Sequence, residues 1–233
     1  MLKSYFFIPA VNSRFIEKMN SLNANEFVFD FEDAVSETDY KRAIKNVSNI
    51  GNIQNYWVRP HLFITATDEE GNIGNELVIN NPQLEKLFEL GFRKFILPKV
   101  ETVEQLEDIY NVFQYYEIEN FEWILLIESP LAVTNINFLL SNKLHPVKGV
   151  TLGINNYLTK SKMCFSYERI KWVNHLLLNA AYTFGVEAID FADTTIDDIE
   201  AFKNNTIESL KMGYTAKIII HPNQLQILNQ LEY

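Results

Sequence analysis

Eight short apolar runs are spread along the whole chain, and each ends at a polar or charged residue, a proline or a glycine. The ends are, in chain order, Pro9, the block Asp30–Asp33, Arg59, Lys99, Glu128, the segment Gly153–Asn156, Asp190 and His221. Runs that are apolar throughout are typical of parallel strands buried on both faces. Because helical stretches separate them, the sequence predicts an α/β fold, a (β/α)8 TIM barrel, as a single domain over residues 1–233. The run ends are then the carboxyl ends of the strands, where such barrels carry their chemistry.

Composition restricts the class of partner. The chain has 233 residues, with 20 Lys and Arg against 30 Asp and Glu, and a formal net charge of −10. This balance disfavours a broad nucleic-acid footprint and an anionic membrane surface, so we expect a small ligand, anionic or not. The single cysteine, Cys164, forms no internal disulfide, and the chain start lacks a secretory signal. We therefore expect a cytoplasmic protein, and no apolar run reaches the roughly 18 residues that a membrane span needs.

Caps and periodicity give the helix boundaries. The first helix is expected to begin at Asn12 or Ser13, and the last follows His221 and Pro222. Gly91, Gly185 and Gly213 each follow a helix, where a left-handed residue is favoured. The segment from Thr65 to Asn80 is polar and is expected to be the longest irregular loop. The other predicted helices cover Glu37–Asn49, Pro82–Leu90, Val103–Tyr116, Leu131–Ser141, Tyr167–Phe184 and Ile196–Met212.

Arg59 ends a strand that is otherwise apolar, so its guanidinium is expected to project into the barrel mouth. There it could clamp a ligand carboxylate through two parallel hydrogen bonds. The alternative is an ion pair with Glu32, Asp33 or Glu128. Both interpretations can hold in one site.

Glu128 follows four consecutive apolar residues, and a carboxylate so close to a buried strand needs a partner. The candidates are a cation, Lys99 or Arg59. Hard oxygen ligands suit Mg²⁺, which keeps several waters and takes one or two carboxylates from a protein. A metal and a salt bridge to Lys99 remain open at this point.

Asp30, Glu32 and Asp33 place three carboxylates within four residues. They cannot all be ionised at close range without compensation, which indicates a cation, a hydrogen-bond network or a shifted proton. The interpretation we favour is a supporting role around a metal. The alternative for Asp33 is that it only caps the next helix.

Three further residues carry weaker signals. His221 could act as an acid or base, but a single His at a strand end is more often a hydrogen-bonded structural residue, and Asp190 is similar. Cys164 has no nearby His to activate it, which disfavours nucleophilic catalysis. The sequence lacks the common glycine-rich nucleotide loops and the common zinc motifs.

Several segments, taken in order, resemble those of a known family. They are Phe6–Pro9 followed by Arg14 and Lys18, Asp30–Val35, Val58–Arg59, Leu97–Thr102, Ile127–Pro130, the Gly153 segment, and Lys217 with Ile220–Gln224. Their order and spacing resemble the citrate lyase β-subunit-like group of the HpcH/HpaI aldolase and citrate lyase superfamily, over nearly the whole chain. Each segment is weak alone, and together they are specific.

The resemblance implies a (β/α)8 barrel that cleaves or forms a carbon–carbon bond in a β-hydroxy or oxo acid, commonly as a thioester and with Mg²⁺. It implies that Arg59 holds the substrate carboxylate, that Glu128 and Asn156 bind the metal, and that Glu32 and Asp33 order its waters. The catalytic set implied is Arg59, Glu32, Asp33 and Lys99, and the substrate-binding set is Arg59, Pro9, Arg14 and Gly153. Homo-oligomers, trimers or hexamers, are also implied.

The chain departs from that family at several positions. Asn156 stands where the resemblance implies a second metal carboxylate, so we expect Mg²⁺ to bind more weakly or to depend on Asp30, Glu32 or substrate. Ala10, Ala132 and Ala216 replace expected glycines, and their methyl groups are expected to disfavour ordinary acyl-CoA substrates. His61 follows Arg59 where Asn is usual. The chain is also expected to end before a segment that completes a neighbouring subunit's site.

Three functions therefore compete. The first is a Mg²⁺-dependent carbon–carbon lyase or aldolase-like enzyme on a small carboxylate, with Arg59 and Glu128 central. The second is a non-catalytic relative that binds a ligand or partner. The third, a Schiff-base aldolase using Lys99, is disfavoured because Glu101 and Glu128 would keep that lysine charged.

Overall fold

The computed structural model describes residues 2–67, 73–141 and 146–231, and ten strands lie within these ranges. Eight parallel strands close into a barrel, which confirms the predicted fold. The barrel strands end within two residues of the predicted positions. Their bounds are β1 Lys3–Pro9, β2 Glu26–Asp30, β3 Trp57–Arg59, β6 Lys94–Leu97, β7 Glu122–Ile127, β8 Val147–Leu152, β9 Glu187–Asp190 and β10 Ala216–Ile219.

The barrel closes because β1 pairs with β2 on one side and with β10 on the other. The register of the strands places polar residues side by side at the carboxyl end of the barrel. Asp30, the last residue of β2, is opposite Arg59, the last residue of β3. In the same way, Leu126 of β7 lies beside Thr151 of β8. Neighbouring strand ends therefore deliver their side chains to one rim.

The predicted loop from Thr65 to Asn80 is wrong. Strands β4 Phe63–Thr67 and β5 Ile73–Ile79 form an antiparallel pair outside the barrel. The sequence between them, 68–72, lies outside the described residues. Polar and glycine composition indicated a loop, whereas the apolar residues at the two outer ends of the segment carry the strand pairing.

Nine helices lie within the described residues, and most match the predicted ranges. Asn12 caps the first helix through its side chain, and Gly91, Gly185 and Gly213 end helices with positive φ, as predicted. The second helix is shorter than predicted because a 3₁₀ turn over Glu37–Asp39 precedes it, and the eighth begins three residues later than predicted. The helices are α1 Ser13–Lys18, α2 Tyr40–Val47, α3 Asn81–Leu90, α4 Val103–Tyr115, α5 Pro130–Ser141, α6 Ile154–Ser161, α7 Tyr167–Phe184, α8 Ile199–Met212 and α9 Pro222–Gln230. Helix α6 was not predicted from the sequence.

Two apolar layers hold the fold together. The barrel interior is filled by side chains that include Val28, Ile96, Ile124 and Ile218. A larger cluster lies between the outer faces of the strands and the surrounding helices. Strand residues alternate between these two layers, as the two-residue period of a strand requires. No helix within the described residues combines the length and the apolarity needed to cross a membrane. The single-domain boundary over residues 1–233 stays a prediction.

The amino-terminal end of the barrel carries charged residues at the first positions of several strands. Lys3 Nζ lies 3.2 Å from a carboxylate oxygen of Glu26 and 3.7 Å from one of Glu187. Lys94 Nζ lies 3.7 Å from the second oxygen of Glu26, which also accepts a hydrogen bond from Trp57 Nε1 at 3.1 Å. This end is therefore closed by an ion-pair network.

Candidate functional site

Arg59 is held at the carboxyl end of β3 by the acidic block. Its Nε and Nη2 donate to the two oxygens of Asp30 at 2.8 and 2.7 Å, a two-pronged pair. Its Nη1 lies 3.3 Å from Glu32 and 3.2 Å from Asp33. Burial alone would lower the pKa of Arg59, but the charges of Asp30, Glu32 and Asp33 raise it, so the guanidinium stays charged.

The acidic block is compensated by two cations. Glu32 is buried and lies 2.7 Å from Lys99 Nζ, and its backbone N–H donates to Asp30 at 3.0 Å. Burial raises the pKa of Glu32 even though Arg59 and Lys99 oppose the rise. Asp33 pairs with Arg59, and α2 begins several residues later behind its own 3₁₀ turn. The alternative that Asp33 only caps the next helix is therefore wrong.

Glu128 follows β7 and is almost completely buried, with 2% of its surface exposed. Asn156 of α6 donates an amide hydrogen bond to its Oε1 at 3.1 Å, whereas its Oε2 has no hydrogen-bond partner within the described residues. Its partner is thus neither Lys99 nor Arg59. Burial, with a further contribution from the charge of Glu32, raises the pKa of Glu128 to about 7.

Gly153 gives Glu128 the space that it occupies. A Cβ atom at position 153 would lie 2.5 Å from Cγ and 2.7 Å from Oε1 of Glu128, closer than real Cβ atoms approach. The backbone of Gly153 is in an ordinary region, so close approach, and not a positive φ, is the reason for a glycine here.

Arg59 and Glu128 line the same cavity, of about 270 Å³, at the carboxyl end of the barrel. Its apolar wall is formed by Phe7, Leu126, Ile218 and Ile220. Pro9, Gly153 and Asn156 also line it. Polar groups that converge on a mainly apolar hollow are typical of a small-molecule site.

The structure separates the other predicted residues from this cavity. Lys99 does not line it and instead pairs with Glu32, and Arg14 is exposed on α1 and does not line it either. Among the weaker candidates, His221 caps α9 by accepting a hydrogen bond from the backbone of Asn223, and Cys164 is exposed. Asp190 is buried in a pair with Lys217 and accepts a hydrogen bond from Ser209 at 2.6 Å. These contacts support structural roles for His221 and Asp190.

The three alanines that replace expected glycines are buried and do not line the cavity. Their methyl groups therefore do not narrow it. The expectation that Ala10, Ala132 and Ala216 disfavour acyl-CoA substrates has no support in this geometry. The backbone N–H of His61 donates a hydrogen bond to the side chain of Gln83, and its carbonyl accepts one from the side chain of Asn80.

One wall of the cavity was not predicted from the sequence. Ala192 and Thr194, in the loop after β9, line it, and Asp193 between them fixes that loop. Asp193 accepts hydrogen bonds from the backbone of Thr195 and from the side chain of Asn205, both at 2.8 Å. Gln224 donates to the carbonyl of Asp193 at 2.7 Å. Gln224 belongs to the segment Ile220–Gln224, which carries part of the family resemblance. That segment did not indicate that Gln224 holds the loop after β9.

The oxygen atoms of the acidic block, Glu128 and Asn156 are the candidate ligands for a divalent cation at the mouth. Within the described residues no cluster of three or more His, Cys, Asp or Glu side chains could hold a metal. Glu128 nevertheless offers a buried oxygen without a hydrogen-bond partner among the described residues, and Asn156, whose side chain contacts Glu128, carries an amide oxygen as well. Four carboxylates at the mouth face two cations, Arg59 and Lys99, so the cluster has a surplus of negative charge when ionised. One carboxylate and one amide fit Mg²⁺, which completes its shell with waters and substrate oxygens.

Comparisons with known proteins show the family and the fold. The family model for HpcH/HpaI aldolase/citrate lyase matches residues 3–222. The chain is 24% identical to citrate lyase subunit beta of Leuconostoc mesenteroides subsp. cremoris, covering 98% of this chain and 76% of that protein. It is 23% identical to a (3S)-malyl-CoA thioesterase of Cereibacter sphaeroides, covering 97% of this chain and 75% of that protein. A crystal structure of the protein CitE from Mycobacterium tuberculosis, in complex with magnesium and acetoacetate, superposes with a TM-score of 0.77 at 19% identity, over 98% of this chain and 89% of that one.

Proposed function

Because the chain belongs to the HpcH/HpaI aldolase/citrate lyase family, we propose that it is a Mg²⁺-dependent carbon–carbon lyase with aldolase-like chemistry. Its substrate would be a β-hydroxy or oxo acid, either free or as a CoA thioester. The observation that carries the proposal is that Arg59 and Glu128 line one cavity at the carboxyl end of the barrel. In the part of the chain that the structure describes, a buried oxygen of Glu128 has no hydrogen-bond partner. Relatives named as a lyase subunit and as a thioesterase support the general class of chemistry.

The residues of this chain divide the work by their chemistry. Arg59 would hold the substrate carboxylate through Nη1, because its Nε and Nη2 form the two-pronged pair with Asp30 and keep the guanidinium in a fixed orientation. Glu128 and Asn156 would hold the metal. When bound, Mg²⁺ would supply a Lewis acid that stabilises the enolate charge formed on carbon–carbon cleavage. The apolar wall of Phe7, Leu126 and Ile218 would exclude water and so strengthen these charged contacts.

Binding is tested by thermal unfolding with Mg²⁺, with oxaloacetate and with both. We expect the two together to raise the melting temperature by mass action, and Glu128→Gln to abolish the rise. Asn156→Asp is the matched variant: it restores a second carboxylate and is expected to tighten Mg²⁺ binding about tenfold. Absence of any shift in the wild-type chain and in Asn156→Asp would refute the metal site.

Activity is tested with malyl-CoA and with oxo acids plus acetyl-CoA. Cleavage of the carbon–carbon bond yields an acyl-CoA and an oxo acid, whereas thioester hydrolysis yields free CoA with the acid intact. The lyase proposal expects the first pair of products, and free CoA alone would assign the chain a thioesterase activity.

A second candidate, a non-catalytic barrel that binds a ligand or a partner, is favoured by one observation. The amide of Asn156 already occupies one oxygen of Glu128, and it adds no charge for a cation. Ligand binding without turnover of any of these substrates would support it. The Schiff-base alternative gains nothing, because Lys99 pairs with Glu32 at 2.7 Å; burial would lower the pKa of Lys99, but Glu32 raises it above its usual value. The homo-oligomer and the cytoplasmic location stay predictions.

A further inference from the structure

Each of the three guanidinium nitrogens of Arg59 lies within ion-pair distance of a carboxylate. Nε and Nη2 serve Asp30, and Nη1 lies 3.3 Å from Glu32 and 3.2 Å from Asp33. An incoming carboxylate that pairs with Nη1 therefore competes there with Glu32 and Asp33.

The three acidic side chains differ in the free energy needed to separate each of them from Arg59. The side chains of Asp30 and Glu32 are 8% and 2% exposed, whereas that of Asp33 is 60% exposed. A buried carboxylate that loses its cation keeps a large desolvation penalty, while an exposed one returns to water.

Local contacts point the same way. Asp30 accepts the backbone N–H of Glu32, and Glu32 is also paired with Lys99. Within the described residues, Asp33 has only the ion pair with Arg59. Asp33 also lines the cavity, as Arg59 and Asp30 do, so its ion pair with Arg59 lies at the space that a ligand would enter. Of the three carboxylates, Asp33 is the one that can leave at little cost.

We propose that Asp33 is an internal competitor for Arg59: its carboxylate occupies the Nη1 position that the carboxylate of the oxo acid takes on binding. Asp33 thereby sets the affinity of the site for carboxylate ligands. This rests on the proposed function in one respect, namely that Arg59 binds the ligand carboxylate. It departs from the role implied by the family resemblance, in which Asp33 orders the waters of the metal.

The two roles predict opposite results for one substitution. If Asp33 competes with the ligand, Asp33→Asn tightens oxo acid binding; if it supports the metal, the same change weakens binding. We expect oxaloacetate to bind about threefold to fivefold more tightly in the presence of Mg²⁺, because this is the upper range of what an exposed ion pair contributes. Isothermal titration calorimetry measures the change. Asp33→Ser should give the same gain, and Asp33→Glu should stay near the wild type because it keeps the charge.

The matched control is Glu101→Gln. Glu101 belongs to the loop after β6 at the same end of the barrel, but its carboxylate pairs with Lys160 at 2.8 Å and not with Arg59. A gain for Asp33→Asn and none for Glu101→Gln supports the proposal. Equal gains in both variants would reduce the effect to net charge, and unchanged or weaker binding in Asp33→Asn would give the metal-support role back to Asp33; either result overturns the proposal. Absence of oxaloacetate binding in the wild type and in every variant overturns the proposed function, and the competitor role with it.

Discussion

The two ends of the barrel interior are both charged, but they are built differently. At the amino-terminal end, Lys3 and Lys94 pair with Glu26 and Glu187, and the partly exposed network closes the barrel. At the carboxyl end, four carboxylates face two cations, and Glu128 keeps a buried oxygen without a partner in the described part of the chain. The first arrangement is satisfied within the protein, whereas the second leaves a charge and an oxygen for a ligand. This difference, more than the presence of charge, marks the functional end.

The largest expected effect comes from removing the central cation of the mouth. Arg59→Met leaves Asp30 and Glu32 buried without their shared partner, so we expect the free energy of unfolding at pH 7 to fall by about 3–5 kcal/mol. Urea denaturation measures the loss. The loss should shrink towards pH 4, because protonated carboxylates need no cation. A loss that is equal at both pH values would refute the electrostatic explanation.

The second effect has the opposite sign. The pKa of Glu128 rises from its ordinary 4.5 to about 7 in the folded protein, so the native state holds this proton more tightly than the unfolded chain. Stability from this group is therefore full below pH 4.5 and is lost as the pH rises through 7. Without added metal, Glu128→Gln should stabilise the protein by roughly 3 kcal/mol at pH 8 and by little at pH 4.5.

Urea denaturation of the wild type and of Glu128→Gln at both pH values, in the presence of a chelator, checks this gain. Added Mg²⁺ with oxaloacetate should reduce it, because only the wild type binds them. A variant that is less stable than the wild type at pH 8 would show that Glu128 is satisfied inside the protein, and the contrast between the two barrel ends would fail.

Gly153 tests whether the position of Glu128 matters. Gly153→Ala places a methyl group 2.5 Å from Cγ of Glu128, so the carboxylate must move. We expect a loss of about 1–3 kcal/mol on thermal or urea unfolding. The melting-temperature rise with Mg²⁺ and oxaloacetate should also disappear. The control is Gly51→Ala, where a Cβ meets nothing within 4 Å; the same ligand response in both variants would show that the carboxylate needs no fixed position.

Much of the barrel and part of the site could be predicted from the sequence, because both depend on local pattern. Apolar runs predict the strands, and strand ends predict that Arg59 meets Glu32 and Asp33, since neighbouring parallel strands deliver their last residues to one rim. The two-pronged partner of Arg59, Asp30, was not among the predicted ion pairs. The contact between Asn156 and Glu128 could not be predicted, because it depends on the orientation of α6, a helix that was not predicted from the sequence. The ion-pair network at the amino-terminal end of the barrel was not predicted, although the sequence pattern indicates it. Its members are each the first residue of a strand: Lys3, Glu26, Lys94 and Glu187.

The smallest effect is expected at the amino-terminal end, and it completes the contrast. Lys3 keeps 36% of its side chain exposed, so Lys3→Met should cost only about 0–1 kcal/mol, and added salt should reduce even that difference. The control is Lys86→Met, which removes an exposed helical pair with Glu89 and should change the stability no more than Lys3→Met does. Urea denaturation at low and high salt measures both. A loss above about 2 kcal/mol for Lys3→Met would mean that this end depends on its cation much as the mouth depends on Arg59, and the contrast between the two ends of the barrel would fail.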